Sequence, residues 1–331
     1  MSAPTHDVIG VGAAIVDIIA RIDDGILVDQ DLSKGAMTLV DEAGSDAIYG
    51  ALGETTERSG GSGANTIAAL GALGRKVAFI GKRRDDKFGE IFAHDIRATG
   101  AAFDSPAATT GEATARCLVM VTPDAERTMA TYLGVSGDLG PDDIDAGTVS
   151  GGGILYLEGY LWDKPAAKDA FHRAMDIAHE AGRKVALSLS DPFCVDRHRD
   201  SFREIVANKI DVLFANEAEL LSLYETDDLH RALDSVAGDV EIAAVTRGAE
   251  GAVIVSGTER IEIPAESVAA LVDTTGAGDL FAAGFLNGMA TGRPLATCGA
   301  MGCAAANVVI QVLGARCTDA LKAKFAVEGW A

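Results

Sequence analysis

The residues best suited to chemistry lie in a glycine-rich turn, Asp273-Thr274-Thr275-Gly276-Ala277-Gly278-Asp279, which runs directly into a helical pattern with Phe281 and Phe285 on one face. Glycines let the backbone approach a ligand closely. At a helix start, the N–H groups of Gly276, Ala277 and Gly278 form an anion hole suited to charge developing on a transferring phosphoryl group. A carboxylate in the first turn beside such a hole, that of Asp279, can accept the proton of an attacking hydroxyl. An acidic residue that merely complements the helix dipole explains Asp279 equally well.

A second cluster, Ser59-Gly60-Gly61-Ser62-Gly63-Ala64-Asn65, precedes another helical pattern in which Gly71 and Gly74 permit tight packing. Asn65 stands where its amide could bind a substrate hydroxyl, and an N-capping role accounts for it almost as well. Four more polar residues, Glu158, Asp191, Asn216 and Thr246, each follow an apolar run that reads as a strand. In open α/β sheets ligands bind outside the carboxyl ends of the strands, so these four could converge on one crevice. Taken singly, each also marks simply where a strand stops.

Other chemistries fail on inspection. There is no G-x-x-x-x-G-K-[ST], which excludes a Walker-type site, and Gly10-Val11-Gly12 lacks its third glycine at Ile15, leaving little support for a dinucleotide fold. Gly61-Ser62-Gly63 is followed by Ala64 and so is not a nucleophile elbow, and no H-E-x-x-H occurs. The histidines are isolated; His172 and His179 read as helix-surface residues rather than metal ligands. Lys82-Arg83-Arg84 reads as a solvated loop, with phosphate contact as the alternative.

The elements that must position these residues alternate. Lys76 to Gly81, Ile154 to Leu157, Val185 to Leu189, Val212 to Ala215 and Ile242 to Val245 read as strands, and Val8 to Ala20 as one buried strand. Between them, Asp85 to Gly100 places Phe88, Ile91, Phe92 and Ile96 on one helical face, and a later helix carries Phe171, Ala174, Met175 and Ala178 and ends at Gly182. Residues 277–313 are helical with a break at Gly292-Arg293-Pro294. This rhythm predicts an α/β fold, a mostly parallel sheet covered by helices on both faces. Two segments depart from it, Arg21 to Val40 and Thr114 to Leu133, and are expected to form a small β-structured lid.

Composition narrows the partners. The 331-residue chain carries 28 basic and 49 acidic residues, a net charge of −21, which repels nucleic acids and anionic membranes. A nucleotide can still bind through Mg²⁺, backbone N–H groups and a helix terminus. With no apolar run long enough to span a bilayer, no leader-like N-terminus, and five scattered cysteines without a C-x-x-C pair, a cytoplasmic protein with reduced thiols is expected.

Together the two glycine segments, about 210 residues apart, resemble the paired signatures of the ribokinase-like (PfkB) family of carbohydrate and nucleoside kinases. Asn216-Glu217-Ala218-Glu219 resembles that family's N-x-x-E element. The resemblance implies one kinase domain over residues 1–331, a three-layer sandwich with a mostly parallel central sheet, and a small β-sheet lid from segments of about 14–45 and 108–135. It also implies MgATP as phosphoryl donor and transfer to an alcohol of a small molecule. By resemblance Asp279 is the base and Gly276, Ala277 and Gly278 the anion hole. Asp17, Gly61, Ser62, Asn65 and Glu158 are expected to bind substrate, and Asn216, Thr246, Gly248, Gly251 and Asn307 the nucleotide. Glu219 is expected to organise Mg²⁺ through water, with helix capping as the alternative for it and Asn216, and Asp273 to hold a monovalent cation such as K⁺. A carboxylate accepting two hydroxyl hydrogen bonds suits a vicinal diol, which fits Asp17 to a ribose.

Gly35-Ala36-Met37-Thr38-Leu39-Val40-Asp41-Glu42, Glu158-Gly159-Tyr160-Leu161-Trp162 and Leu187-Ser188-Leu189-Ser190-Asp191-Pro192-Phe193 look most like bacterial members of the adenosine kinase branch. That branch commonly has Asn where Ala13 follows Gly12, so a ribokinase- or fructokinase-like sugar kinase is the alternative. A non-catalytic nucleotide or nucleoside sensor is the alternative of another class, and monomer or homodimer is expected.

Overall fold

The computed structural model describes residues 3–124 and 126–330. Its strands are β1 His6–Val11, β2 Ile15–Arg21, β3 Met37–Leu39, β4 Thr55–Gly60, β5 Val77–Ile80, β6 Ala115–Val121, β7 Arg127–Tyr132, β8 Gly152–Glu158, β9 Lys184–Ser188, β10 Val212–Asn216, β11 Ile242–Thr246, β12 Ala252–Ser256 and β13 Glu259–Ile263. The helices are α1 Asp24–Asp29, α2 Glu42–Ala51, α3 Ser62–Ala72, α4 Lys87–Ala98, α5 Ala146–Ser150, α6 Pro165–Glu180, α7 Pro192–Lys209, α8 Glu217–Tyr224, α9 Leu229–Asp239, α10 Ala277–Ala290, α11 Leu295–Val309 and α12 Thr318–Val327.

The larger sheet has eight strands in the order β13-β12-β11-β10-β9-β8-β1-β5. From β11 to β5 every pairing is parallel, and β12 and β13 add antiparallel. Its core strands are near-continuous apolar runs because both faces are covered. Alternate side chains separate into two cores. Val8, Phe79, Ile154, Tyr156 and Phe214 pack with α3, α4, α10, α11 and α12, whereas Ile9, Val11, Leu155, Leu157, Leu187 and Val245 pack with α6 to α9. This is the expected three-layer α/β sandwich.

The smaller sheet has the order β3-β7-β6-β2-β4. One face, with Val16, Ile18, Ala20, Leu118, Met120 and Ala130, packs against Leu27 of α1 and Ile48 of α2. The opposite face carries a row in register across four strands: Asp17 beside Cys117, Cys117 beside Thr131, Thr131 beside Leu39. The next row places Met129 beside Met37.

The structure corrects three readings. Residues 8–20 are two strands in two different sheets, not one, broken at Gly12, where a Cβ would come 2.7 Å from the Glu158 carboxyl carbon. Thr55–Gly60 is the edge strand β4 of the second sheet and lies outside both expected lid segments. Lys82, Arg83 and Arg84 are half-buried rather than solvated. Lys82 pairs with Asp143 at 2.8 Å, Arg83 lies over the Phe103 ring and Arg84 donates to the Gly111 carbonyl. His172 packs beside Trp162 and His179 lies 3.5 Å from Asp211; no cluster able to hold a metal occurs among the described residues. Nor, among them, is any helix long and apolar enough to cross a membrane.

Candidate active site

The two glycine segments meet where α3 packs against α10. Gly61 caps α3 at φ 91°, and a Cβ there would come 2.6 Å from the Ala13 carbonyl oxygen, so only glycine fits. Gly276 caps α10 in the left-handed region at φ 77°, with Ala315 filling the space a Cβ would need. Asp279 is the third residue of α10. Its Oδ1 accepts from Ser62 Oγ at 2.6 Å and its Oδ2 from Asn65 Nδ2 at 2.9 Å, while Thr66 Oγ1 donates to its main-chain carbonyl at 3.1 Å. The carboxylate is therefore oriented by another helix, not spent on its own N-terminus.

Asn65 is not an N-cap. It lies inside α3, its N–H donating to the Gly61 carbonyl, and its Oδ1 is a buried acceptor without a protein partner. At the turn, Ala277 N–H donates to the Thr274 carbonyl at 3.2 Å. The N–H groups of Gly276 and Gly278 meet no protein acceptor among the described residues. Of the three expected donors, two are thus open to an anion.

Asp17 comes from the second sheet. It lies within β2 rather than at a strand-terminal turn, and a Cβ on Gly60 would sit 2.2 Å from its carboxyl carbon. Burial pushes Asp17 up to about 6, Arg316 and Arg127 pull it down, and the charge of Asp279 raises it further. Burial also raises Asp279, against its bonds from Ser62 and Asn65 and the charge of Arg316. The two carboxylates therefore share one enclosed field.

Sequence reasoning missed both arginines in that field. Arg127 reaches from β7 so that Nη1 lies 2.5 Å from each oxygen of Asp273 and also contacts Thr275 Oγ1. Asp273 accepts as well from the N–H groups of Thr275 at 3.0 Å and Gly314 at 2.7 Å. Burial raises Asp273, but Arg127 and these N–H groups outweigh it and hold the carboxyl below the ordinary range. The residue expected to hold a monovalent cation is thus neutralised by an arginine of the smaller sheet. Arg316 Nη2 donates to the Ser59 carbonyl and Oγ at 2.6 and 2.8 Å. Both arginines are distant in sequence from what they hold, and neither sits in a motif.

The other expected residues fall into two groups. Glu158, 1% exposed, accepts from Ala13 N–H at 2.7 Å and from Gly63 N–H, so its oxygens join the turn between β1 and β2 to the start of α3. Burial lifts it to about 7. Asn216 ends β10 beside Thr246 of β11, and with Glu219 forms a capping box on α8: Glu219 N–H donates to Asn216 Oδ1 at 2.8 Å and Asn216 N–H to Glu219 Oε2 at 2.9 Å. Asn216 Nδ2 donates to the remaining oxygen at 2.7 Å. Glu219 is 5% exposed, and burial raises it to about 7. Gly248 (φ 56°) has open space where a Cβ would lie, whereas one on Gly251 would strike the Ile263 carbonyl 2.0 Å away. Asn307 donates to the carbonyls of Glu266 and Ser267, holding the loop beside α11. Asp191 caps α7 through Phe193 N–H.

A carboxylate aimed by two donors, next to open N–H groups at a helix start and within the field of a second carboxylate from the smaller sheet, is an arrangement for transferring an anionic group to a hydroxyl. The pfkB family carbohydrate kinase profile matches residues 39–321. The chain belongs to the pfkB carbohydrate kinase family. An ATP-dependent ribose-1-phosphate kinase of Halopiger xanaduensis is 31% identical over 73% of the chain and 78% of its own length. A probable sugar kinase of Rhizobium etli has 46% identity, a TM-score of 0.92 and coverage of 99% of this chain and all of the other. An adenosine kinase of Sinorhizobium meliloti has 46% identity, a TM-score of 0.90 and coverage of 98% and 99%. Kinases of this family are phosphotransferases acting on alcohol groups, with ATP as cosubstrate, and this chain is one of them.

Proposed function

We propose that this kinase transfers the γ-phosphoryl group of ATP to the 5′-hydroxyl of adenosine, giving AMP and ADP, with Asp279 as the base. The carrying observation is the composition of one face of the smaller sheet. Asp17 begins a row that ends, three strands away, at Leu39, about 14 Å at ordinary strand spacing. That reach exceeds a single sugar ring and suits a nucleoside whose ribose diol meets Asp17 and whose base lies on apolar side chains. Met37 and Leu39 are 50% and 56% exposed, and Leu39 lines a cleft of about 480 Å³ with Thr131, Leu133 and Lys164. Two further rings stand at the carboxyl ends of the larger sheet's strands, Tyr160 after β8 and Phe193 at the start of α7: Tyr160 donates to the Ser190 carbonyl, and burial and the charge of Asp279 raise its hydroxyl. Phe193, 73% exposed, has no folding role that requires an aromatic ring there.

In this reading the substrate hydroxyl gives its proton to Asp279 as its oxygen attacks phosphorus, and the N–H groups of Gly276 and Gly278 receive the developing charge. Ser62 and Asn65 keep the carboxylate oriented, and Asn65 Oδ1 is the acceptor left for a substrate hydroxyl. Thr246, Gly248, Gly251 and Asn307 line the nucleotide side. Both oxygens of Glu219 are engaged by Asn216, so Glu219 suits an ion carried in by ATP and reached through water, not direct ligation. Bound with ATP, Mg²⁺ would supply charge neutralisation on the phosphates. A monovalent cation at Asp273 would have to displace Arg127.

The second reading, a sugar kinase, is favoured by the fructokinase and sugar kinase relatives. A coupled ADP-release assay over adenosine, other nucleosides, ribose and fructose separates the two. Adenosine is expected to give the largest kcat/KM; a sugar exceeding it by tenfold would overturn the assignment.

A further inference from the structure

Three consecutive residues behind the site, Gly314, Ala315 and Arg316, touch each part of it. Gly314 N–H donates to Asp273, Ala315 packs against Gly276, and Arg316 donates to Ser59 and, at 3.4 Å, to the Ala64 carbonyl. Ser59 and Ala64 bracket the turn that presents Ser62, and Asn65 follows it. Ser59 is 1% exposed, and its Oγ and N–H both donate to Asp95 of α4, so the guanidinium is linked to a carboxylate only through a serine. Its Nε has no partner. A cation so placed is not neutralised by direct pairing, and its field falls on the carboxylates in front of it, Asp17 and Asp279.

We propose that Arg316 is a positioning residue for the phosphoryl transfer: it holds the turn that presents Ser62 and Asn65 to Asp279 and supplies the positive charge that keeps the facing carboxylates ionised. This inference rests on Asp279 being the base. In the enclosed site the charge of Asp279 falls on Asp17 from β2, Glu158 and Tyr156 from β8 and Tyr160 beyond it, raising each of them. Arg127 of β7 counters Asp17 but is itself paired with Asp273. Asp95 of α4 and Arg58 of β4 modulate Arg316 from behind. Arg316 is therefore the cation that lowers both Asp17 and Asp279. The physical consequence has a definite sign. Removing a nearby positive charge disfavours the carboxylate, so the base needs a higher pH to ionise.

The test is the pH profile of kcat/KM for adenosine at saturating MgATP, measured for wild type, R316Q, R316K and D279N, with thermal unfolding and nucleotide binding as folding controls. R316Q is expected to move the acid limb upward by about one pH unit, the order expected for losing one charge at an effective dielectric near 20. R316K keeps the charge but not the fork, and is expected to leave the limb in place while lowering kcat about tenfold. A folded R316Q with an unmoved limb overturns the proposal. Should R316Q not fold, a displaced limb in R316K overturns it equally. D279N separates the two layers of argument: if it turns over normally, the assignment of the base has failed, whereas an inactive D279N with an unmoved R316Q limb defeats the role of Arg316 alone.

Discussion

Replacing Asp279 by Asn and by Ala should separate chemistry from folding. The carboxylate accepts one hydrogen bond from Ser62 Oγ and one from Asn65 Nδ2. In D279N the amide oxygen can take the Asn65 donor, and the amide NH₂ can face Ser62, whose hydroxyl rotates to accept. Both contacts survive, and the main-chain bond from Thr66 is untouched. The cost should stay within about 1 kcal/mol. D279A strands both donors and should lose about 1–3 kcal/mol, a fall in Tm of several degrees. Stability also responds to pH. Because burial raises the carboxyl above its unfolded value, wild type binds an extra proton when folded, a contribution fully present at low pH and lost as pH rises through the folded pKa. D279N has no such loss, so its Tm relative to wild type should climb as pH rises above the ordinary carboxylate range. Activity should fall at least about 100-fold in both variants, equivalent to about 2.7 kcal/mol of barrier. ADP release, calorimetric nucleotide binding and thermal melts at several pH values read these quantities. Turnover of D279N within tenfold of wild type would refute the base, and a D279N less stable than D279A would refute the hydrogen-bond reasoning.

Three further outcomes are expected. R127Q removes the cation from Asp273, whose depressed pKa stabilises the fold above the ordinary carboxylate range and loses that contribution as pH falls, so R127Q should flatten the acid-side decline in Tm seen in wild type. F193A should change Tm little, since the ring is exposed, yet raise KM for adenosine about tenfold or more without affecting any turnover of ribose, because burying a phenyl ring against a base is worth about 1.5–3 kcal/mol. G60A would put a methyl 2.2 Å from the Asp17 carboxyl carbon, and is expected to abolish nucleoside affinity in calorimetry while leaving ATP binding intact.

The sequence was most readable where the structure is local. The turn at Gly276 to Gly278, the helix that follows it and the Asn216–Glu219 capping box are encoded within a few residues, and the buried parallel strands announce themselves as apolar runs. What escaped depends on distant partners. Thr55–Gly60 has the polar, half-exposed composition of an edge strand, and nothing in it reveals that β2 lies alongside. The break at Gly12 is fixed by Glu158, 146 positions away, and a run of apolar residues hides it. Arg127 and Arg316 find their partners 146 and 257 residues away, so no spacing rule could pick them out.

Those arginines also resolve how so acidic a chain can handle a polyanion. With a net charge of −21, long-range steering opposes the approach of nucleotide phosphates, so affinity must come from short-range groups in an enclosed, weakly screened site. The structure concentrates them there: two unengaged N–H groups at the start of α10, and two arginines brought up to the turn, Arg127 against Thr275 beside Gly276 and Arg316 next to Ala315, which packs on Gly276. Neither arginine is free to neutralise the whole site. Arg127 is held by Asp273, and Arg316 is backed by Asp95 through Ser59. Burial therefore still raises both Asp17 and Asp279 above the ordinary carboxylate range, while the Arg316 charge works against that rise, and on the proposed reading this tension is what lets Asp279 take a proton from an alcohol and later release it.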